Sequence, residues 1–90
     1  MGRKVRPQPD RLAIKLKQIR ESLELSQPQM AAQLTTEKSP VHNAHISHFE
    51  KGTRQPSYIT LLKYARLAKV NAEVLIDDEV DLPKHLLHRK

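Results

Sequence analysis

An all-α domain of about five short helices is the fold class the sequence predicts, on three observations. Apolar residues recur at steps of three and four through most of the chain. Serine, asparagine, proline and glycine stand where those runs begin and end. No stretch alternates apolar and polar residues as a half-buried strand does.

Leu12, Leu16, Ile19 and Leu23 lay one stripe on a first helix whose other faces carry Lys and Arg. LSQPQMAAQL follows. There the hydroxyl of Ser26 is spaced to accept from the amide three residues on while Gln29 reaches back, and Pro28 lies in the first turn, where its missing amide hydrogen costs little. A second helix therefore starts near Ser26 or Gln27 and points Met30, Ala31 and Leu34 inward. TTEKSP is polar and without periodicity, and Pro40 disfavours a helical Ser39, so an extended loop is expected. The third helix runs from Val41 or His42 to about Glu50, buries Ile46 and Phe49, and stops at Gly52 in a left-handed conformation. After the turn TRQP, Ser57 caps a fourth helix with Tyr58, Leu61, Leu62, Ala65 and Ala68 on its apolar face. Asn71 precedes a short fifth helix, AEVLI. The chain divides into a basic arm (1–10), a helical domain (11–77) and a C-terminal tail (78–90).

With 90 residues, 38% of them hydrophobic, the chain builds one domain around a single modest core. It has no cysteine, which excludes disulfides and thiolate metal sites. The first ten residues are basic and proline-bearing with no apolar run behind them, so neither a signal peptide nor a membrane span is expected, and the cytoplasm is the expected location. The net charge of +6 and the pI of about 9.9 favour a polyanionic partner, because a basic surface attracts phosphates and releases their counterions. Arg3, Lys4, Arg6 and Arg11 precede the first helix, whereas DDEVD gathers acid from Asp77 to Asp81. Two glycines cannot build a phosphate loop, and no nucleophile stands at a base's spacing. A protein that is no enzyme and carries no cofactor is the expectation.

LKQIRESLELSQPQMAAQL followed by HISHFEKGTRQPSYITLLKYARLAKV resembles the lambda-repressor-like helix-turn-helix group, the Xre family, over about two thirds of the chain. The features that carry the resemblance are Arg20 six residues before the capping Ser26, the pair Ser26 and Gln27, inward Met30 and Ala31, the ending Glu50-Lys51-Gly52, and Pro56-Ser57 before a Leu-Leu helix. Taken in this order they are specific. The resemblance implies a compact five-helix domain whose second and third helices form a DNA-reading unit, the third entering the major groove. It implies base reading by Asn43, Ala44, Ser47 and His48, with His42 and His45 nearer the phosphates. Gln27 is expected near the DNA backbone and Asn43, and Lys51, Thr53 and Arg54 are expected to hold phosphates. It also pairs Arg20 with Glu50. Three departures stand out: Thr35 replaces the family's glycine after the second helix, Lys69 replaces another after the fourth, and the loop between the second and third helices is about five residues longer than usual. A longer surface loop adds only a fraction of a kcal/mol of closure entropy, while the angle of the third helix on DNA depends on how that loop closes.

HNAHISHFEKG invites a second reading, since His42, His45 and His48 stand three apart. Three-residue steps drift by about 60° per pair on a helix, so only neighbours share an ion. Glu50 is wanted by Arg20, and no metal is expected. Groove chemistry suits the segment better: imidazole donates to phosphate or to guanine acceptors, Asn43 matches adenine in two hydrogen bonds, and Ala44 leaves room for a thymine methyl. The plain alternative is a solvated helix face. The basic arm has two readings of equal weight, a phosphate or minor-groove contact and a solvated terminus. His85 and His88 read as tail residues. Leu75, Ile76, Val80, Leu82, Leu86 and Leu87 exceed the obvious needs of a five-helix core and are expected either to cap the domain or to join two copies; a homodimer, which would double the contacts of one half-site, is favoured over a monomer.

The expected function is thus a sequence-specific double-stranded DNA-binding transcriptional regulator, a repressor that occupies its promoter. An antitoxin-like or bridging module that holds a protein partner is the alternative. RNA ranks third, because one Phe and two Tyr fall in apolar stripes and leave few platforms for stacked bases.

Overall fold

A computed structural model describes residues 11–84 and places five helices in chain order: α1 (Leu12–Ser22), α2 (Gln27–Leu34), α3 (Asn43–Lys51), α4 (Tyr58–Ala68) and α5 (Ala72–Ile76). No strand occurs among the described residues. The start of α2 is a complete capping box: Ser26 Oγ accepts from the Gln29 amide at 3.2 Å, and Gln29 Oε1 accepts from the Ser26 amide at 2.8 Å. Ser57 caps α4 by accepting from the Thr60 amide at 3.2 Å. Asn71 precedes α5 without a side-chain capping bond.

Three helices end alike. After α1, α3 and α4 one residue turns left-handed, at Glu24 (φ 60), Gly52 (φ 78) and Lys69 (φ 61). The next amide reaches back to the carbonyl five residues earlier, as in Leu25 to Arg20, Thr53 to His48 and Val70 to Ala65. This is the Schellman arrangement, which satisfies carbonyls that a helix end leaves free. Glycine occupies one of the three sites, so Glu24 and Lys69 carry the steric cost of a Cβ there.

Leu12, Leu16 and Ile19 of α1, Met30, Ala31 and Leu34 of α2, and Ile46 and Phe49 of α3 meet in one core with Leu61, Tyr64, Ala65 and Ala68 of α4. The apolar face of α4 differs from expectation. Tyr58 is 82% exposed and Leu62 40%, while Tyr64 is fully buried. Tyr58 stands at the first helical position, right after the Ser57 cap, and points past the core's edge. There Tyr58, Ile59, Leu62 and Ile76 form an exposed apolar face.

The segment after α5 also departs from expectation. Leu75 and Leu82 are core residues at 0% and 4% exposure, so of the two expected roles they take that of capping the domain, and the chain from 78 to 82 packs on α1 instead of trailing from it. Lys15 holds it there. Buried on the inner face of α1, its ammonium donates to the carbonyls of Val74 (2.7 Å), Asp77 (2.9 Å) and Val80 (2.6 Å), which satisfies the end of α5. Burial pushes the Lys15 ammonium below its ordinary pKa, Arg11 adds to that, and Asp78, Asp81 and Asp77 oppose it. Arg11 joins the same closure: its amide donates to Asp78 Oδ1 at 3.0 Å, and its guanidinium reaches the Asp78 carbonyl and the Asp81 carboxylate. The acidic run thus binds this end of the domain to α1. The arm with Arg3, Lys4 and Arg6, and the tail residues His85, Leu86, Leu87 and His88, lie outside the described residues.

Between α2 and α3, residues 35–42 make the extended loop. Thr36 and Ser39 exchange both amide-to-carbonyl bonds, at 3.1 and 3.2 Å, which closes a small turn with Glu37 and Lys38 at its exposed tip. Thr35 Oγ1 accepts from the Val41 amide at 2.7 Å, and Val41 is buried. The extra residues therefore leave and return at nearly one point, and the ends of α2 and α3 are bridged as a short turn would bridge them.

Candidate nucleic-acid interface

The third helix has two opposite faces, and its sequence decides which is which. Ile46 and Phe49 lie in the core, which anchors α3 against α1 and α2. Ala44, Ser47, His48 and Lys51 stand at the helical interval on the other side, and Asn43 borders them at the first helical position. Of these five, four are exposed and Ser47 is half-buried. No described segment covers this face.

A buried ion pair fixes the angle of α3. Arg20 of α1 donates through Nε and Nη2 to the two oxygens of Glu50, at 2.7 and 3.0 Å, and through Nη1 to the Leu25 carbonyl at 2.9 Å. One guanidinium so ties α1, the turn before α2, and α3 into one body. The side chains are 14% and 4% exposed, so loss of either partner would leave the other charge buried and unpaired, which is costly. The hydrogen bond to Glu50 raises the Arg20 guanidinium further above its ordinary pKa. Tyr64 lies under the same pair: its hydroxyl is buried without a hydrogen-bond partner among the described residues, and burial pushes its pKa up.

Gln27, expected to face the DNA backbone and Asn43, donates through Nε2 to Glu50 Oε1 at 3.2 Å. One of its two amide hydrogens goes to the carboxylate that also receives Arg20, which leaves the other hydrogen and the amide oxygen of this half-buried side chain. His42 is exposed at the N-cap of α3, and its amide donates to Nδ1 of His45 at 3.0 Å. The His45 ring is half-buried, tilted against His42 (5.3 Å between centroids) and stacked on Phe49 (6.3 Å, 18°). Burial pushes the His45 imidazole below its ordinary pKa, and repulsion from Arg54, His42 and His48 adds to the fall. A neutral ring suits the role, because Nδ1 must keep its lone pair to accept from His42.

At the other end of α3, Lys51, Thr53 and Arg54 are all exposed. Thr53 Oγ1 lies 2.9 Å from His48 Nδ1 and 3.3 Å from the His48 carbonyl, so the ring of His48 is held from behind. Asn43, Ala44, Ser47, His48 and Lys51 therefore share the open outer face of α3, and the exposed Arg54 lies beside His45 in a groove with Phe49 and Pro40, while Gln27, His45 and Thr53 are engaged with other residues of the domain. Of these three bonds only that of Gln27 to Glu50 depends on where α3 lies; His42 with His45 and His48 with Thr53 are three and five residues apart, a local spacing that was open to reading in the sequence. Among the described residues no group of three or more His, Asp or Glu could hold a metal ion, and no helix is long and apolar enough to cross a membrane.

Comparisons with known proteins bear on the fold that carries this surface. A family model described as helix-turn-helix matches residues 16–75, which runs from α1 into α5. No curated protein matches the chain. Among solved structures the fold is similar to that of the P22 c2 repressor protein, crystallised in complex with synthetic operator 9T in the presence of Tl+. The TM-score is 0.64 at 18% identity, over 74% of this chain and 94% of that one. At that identity the likeness is one of fold.

Proposed function

The chain belongs to the lambda-repressor-like helix-turn-helix family, and from that premise we propose that it is a sequence-specific double-stranded DNA-binding transcriptional regulator that represses by occupying a promoter. The observation that carries this reading is the open outer face of α3, rigidly backed by Ile46, Phe49 and the Arg20–Glu50 pair. A rod held in this way enters a major groove with little conformational entropy left to lose. Asn43, Ala44, Ser47 and His48 read base edges. Lys51 and Arg54 hold phosphates at the far end of α3, and His42 holds one at its start. Gln27, His45 and Thr53 act mainly by fixing Glu50, the helix start and His48. The fold shared with a repressor solved on a synthetic operator supports the same reading. The protein works as a homodimer in the cytoplasm, with the exposed face of Tyr58, Ile59, Leu62 and Ile76 as the apolar surface available for pairing. Protein pairing of the antitoxin-like kind is favoured by the same face and ranks second.

Binding to a selected duplex and to random duplexes separates the roles. Asn43→Ala is expected to cost about 1–3 kcal/mol at one base-pair position and to leave random DNA unaffected. Lys51→Ala is expected to weaken both classes alike and to lower the slope of log affinity against log salt by about 1. Equal losses on both duplex classes for both variants would contradict the assignment.

A further inference from the structure

We infer that Thr53 sets which base His48 can read, by locking the imidazole in the tautomer whose outer nitrogen is a pure acceptor. The inference rests on the DNA reading proposed above and deepens it. A neutral imidazole carries one N–H, and which nitrogen bears it is set by the partner of the other. Thr53 Oγ1 makes two contacts, with His48 Nδ1 at 2.9 Å and with the His48 carbonyl oxygen at 3.3 Å. A carbonyl cannot donate, so the single hydroxyl hydrogen must point at it if that contact is a hydrogen bond. Oγ1 then meets Nδ1 with a lone pair, and Nδ1 must supply the hydrogen. Both contacts are satisfied together only in this arrangement.

Thr53 is well placed to hold it. Its amide also donates to the His48 carbonyl, at 3.1 Å, as part of the Schellman turn at Gly52, so the backbone of Thr53 is brought back beside His48. His48 is exposed on the reading face, which leaves Nε2 as the atom available to a partner. With the hydrogen on Nδ1, Nε2 offers a lone pair. In the major groove the matching donors are the exocyclic amines of adenine and cytosine, whereas guanine presents only acceptors there. The sequence alone suggested imidazole as a donor to guanine; the Thr53 contact reverses that preference for the neutral ring. Thr53 is thus a positioning residue that acts through His48.

The test has a spectroscopic arm and a binding arm, both on the full chain near pH 8. Long-range proton–nitrogen spectra of the free protein read the tautomer of His48 without any DNA. The expected result is hydrogen on Nδ1 in the native protein and a shift toward hydrogen on Nε2 in Thr53→Val, which keeps the shape and loses the hydroxyl. In the binding arm, every base pair of the selected duplex is varied in turn. The native protein is expected to favour adenine or cytosine over guanine about five- to tenfold at one position. Thr53→Val should lose that preference alone. Hydrogen on Nε2 in the native protein would overturn the inference, as would an unchanged base preference in Thr53→Val. If the native protein favours no duplex, the DNA reading itself fails and this inference falls with it, an outcome told apart by the absence of preference at every position.

Discussion

Single residues carry strain or charge here that the measured behaviour of variants should expose. Lys69 adopts φ 61 after α4, where an L side chain is disfavoured and glycine is not. Lys69→Gly removes that cost but loosens the unfolded chain, and the balance is expected to stabilise the domain by about 0.5–1 kcal/mol, read as a higher melting temperature. His45 gives a pH dependence whose sign follows from its environment. Its folded pKa lies below the ordinary 6.5, so as pH falls the unfolded chain takes up the proton first. The stability tied to the neutral ring is complete above that ordinary value and is lost as pH falls through the folded one. His45→Gln keeps an acceptor for the His42 amide and removes the titration. It is expected to melt near the native temperature at neutral pH and to lose less on acidification to about pH 5. Identical acid profiles would show that His45 is not the group responsible.

Elements owe their positions to a few contacts between them. The Arg20–Glu50 pair is buried, and Gln27 shares the carboxylate. Arg20→Ala leaves Glu50 without its cation and is expected to destabilise by about 3–5 kcal/mol in a denaturant titration. A loss under about 1 kcal/mol would mean that apolar packing alone sets the angle of α3. Much at this scale was legible in the sequence. The Ser26 box, the Ser57 cap and the Gly52 turn depend on residues three to five apart, and local spacing predicts them. The face of α4 was less so. Tyr58 and Tyr64 both fit an apolar stripe, and only the position of the helix start relative to the core separates the exposed one from the buried one. Lys15 was illegible for a related reason. It shares the face of Leu12, but its residue type argues for solvent, and its three carbonyl partners come from residues 59 to 65 positions away. The same distance hid the packing of Leu82.

The whole molecule presents a polyanion-seeking surface built on a small rigid body. Its basic residues outnumber its acidic ones, 16 to 10, and several of the acidic ones are engaged by Arg11 and Arg20. The long loop, the main departure from the family pattern, closes on itself at Thr36 and Ser39 and is anchored through Thr35, so the helix pair α2–α3 keeps its bridge. Residue types on α3 could be read from the sequence as groove chemistry, and the bonds of His45 and His48 lie within local spacing, but the contact of Gln27 with Glu50 could not be read, because it arises where helices distant in sequence meet. The most direct test of the central claim, that the outer face of α3 reads base pairs, is selection of bound duplexes from a random pool. A consensus of two inverted half-sites, spaced about 10 base pairs between centres, is the expected result for a dimer of this fold. A pool that stays random after repeated rounds at moderate salt would contradict the claim.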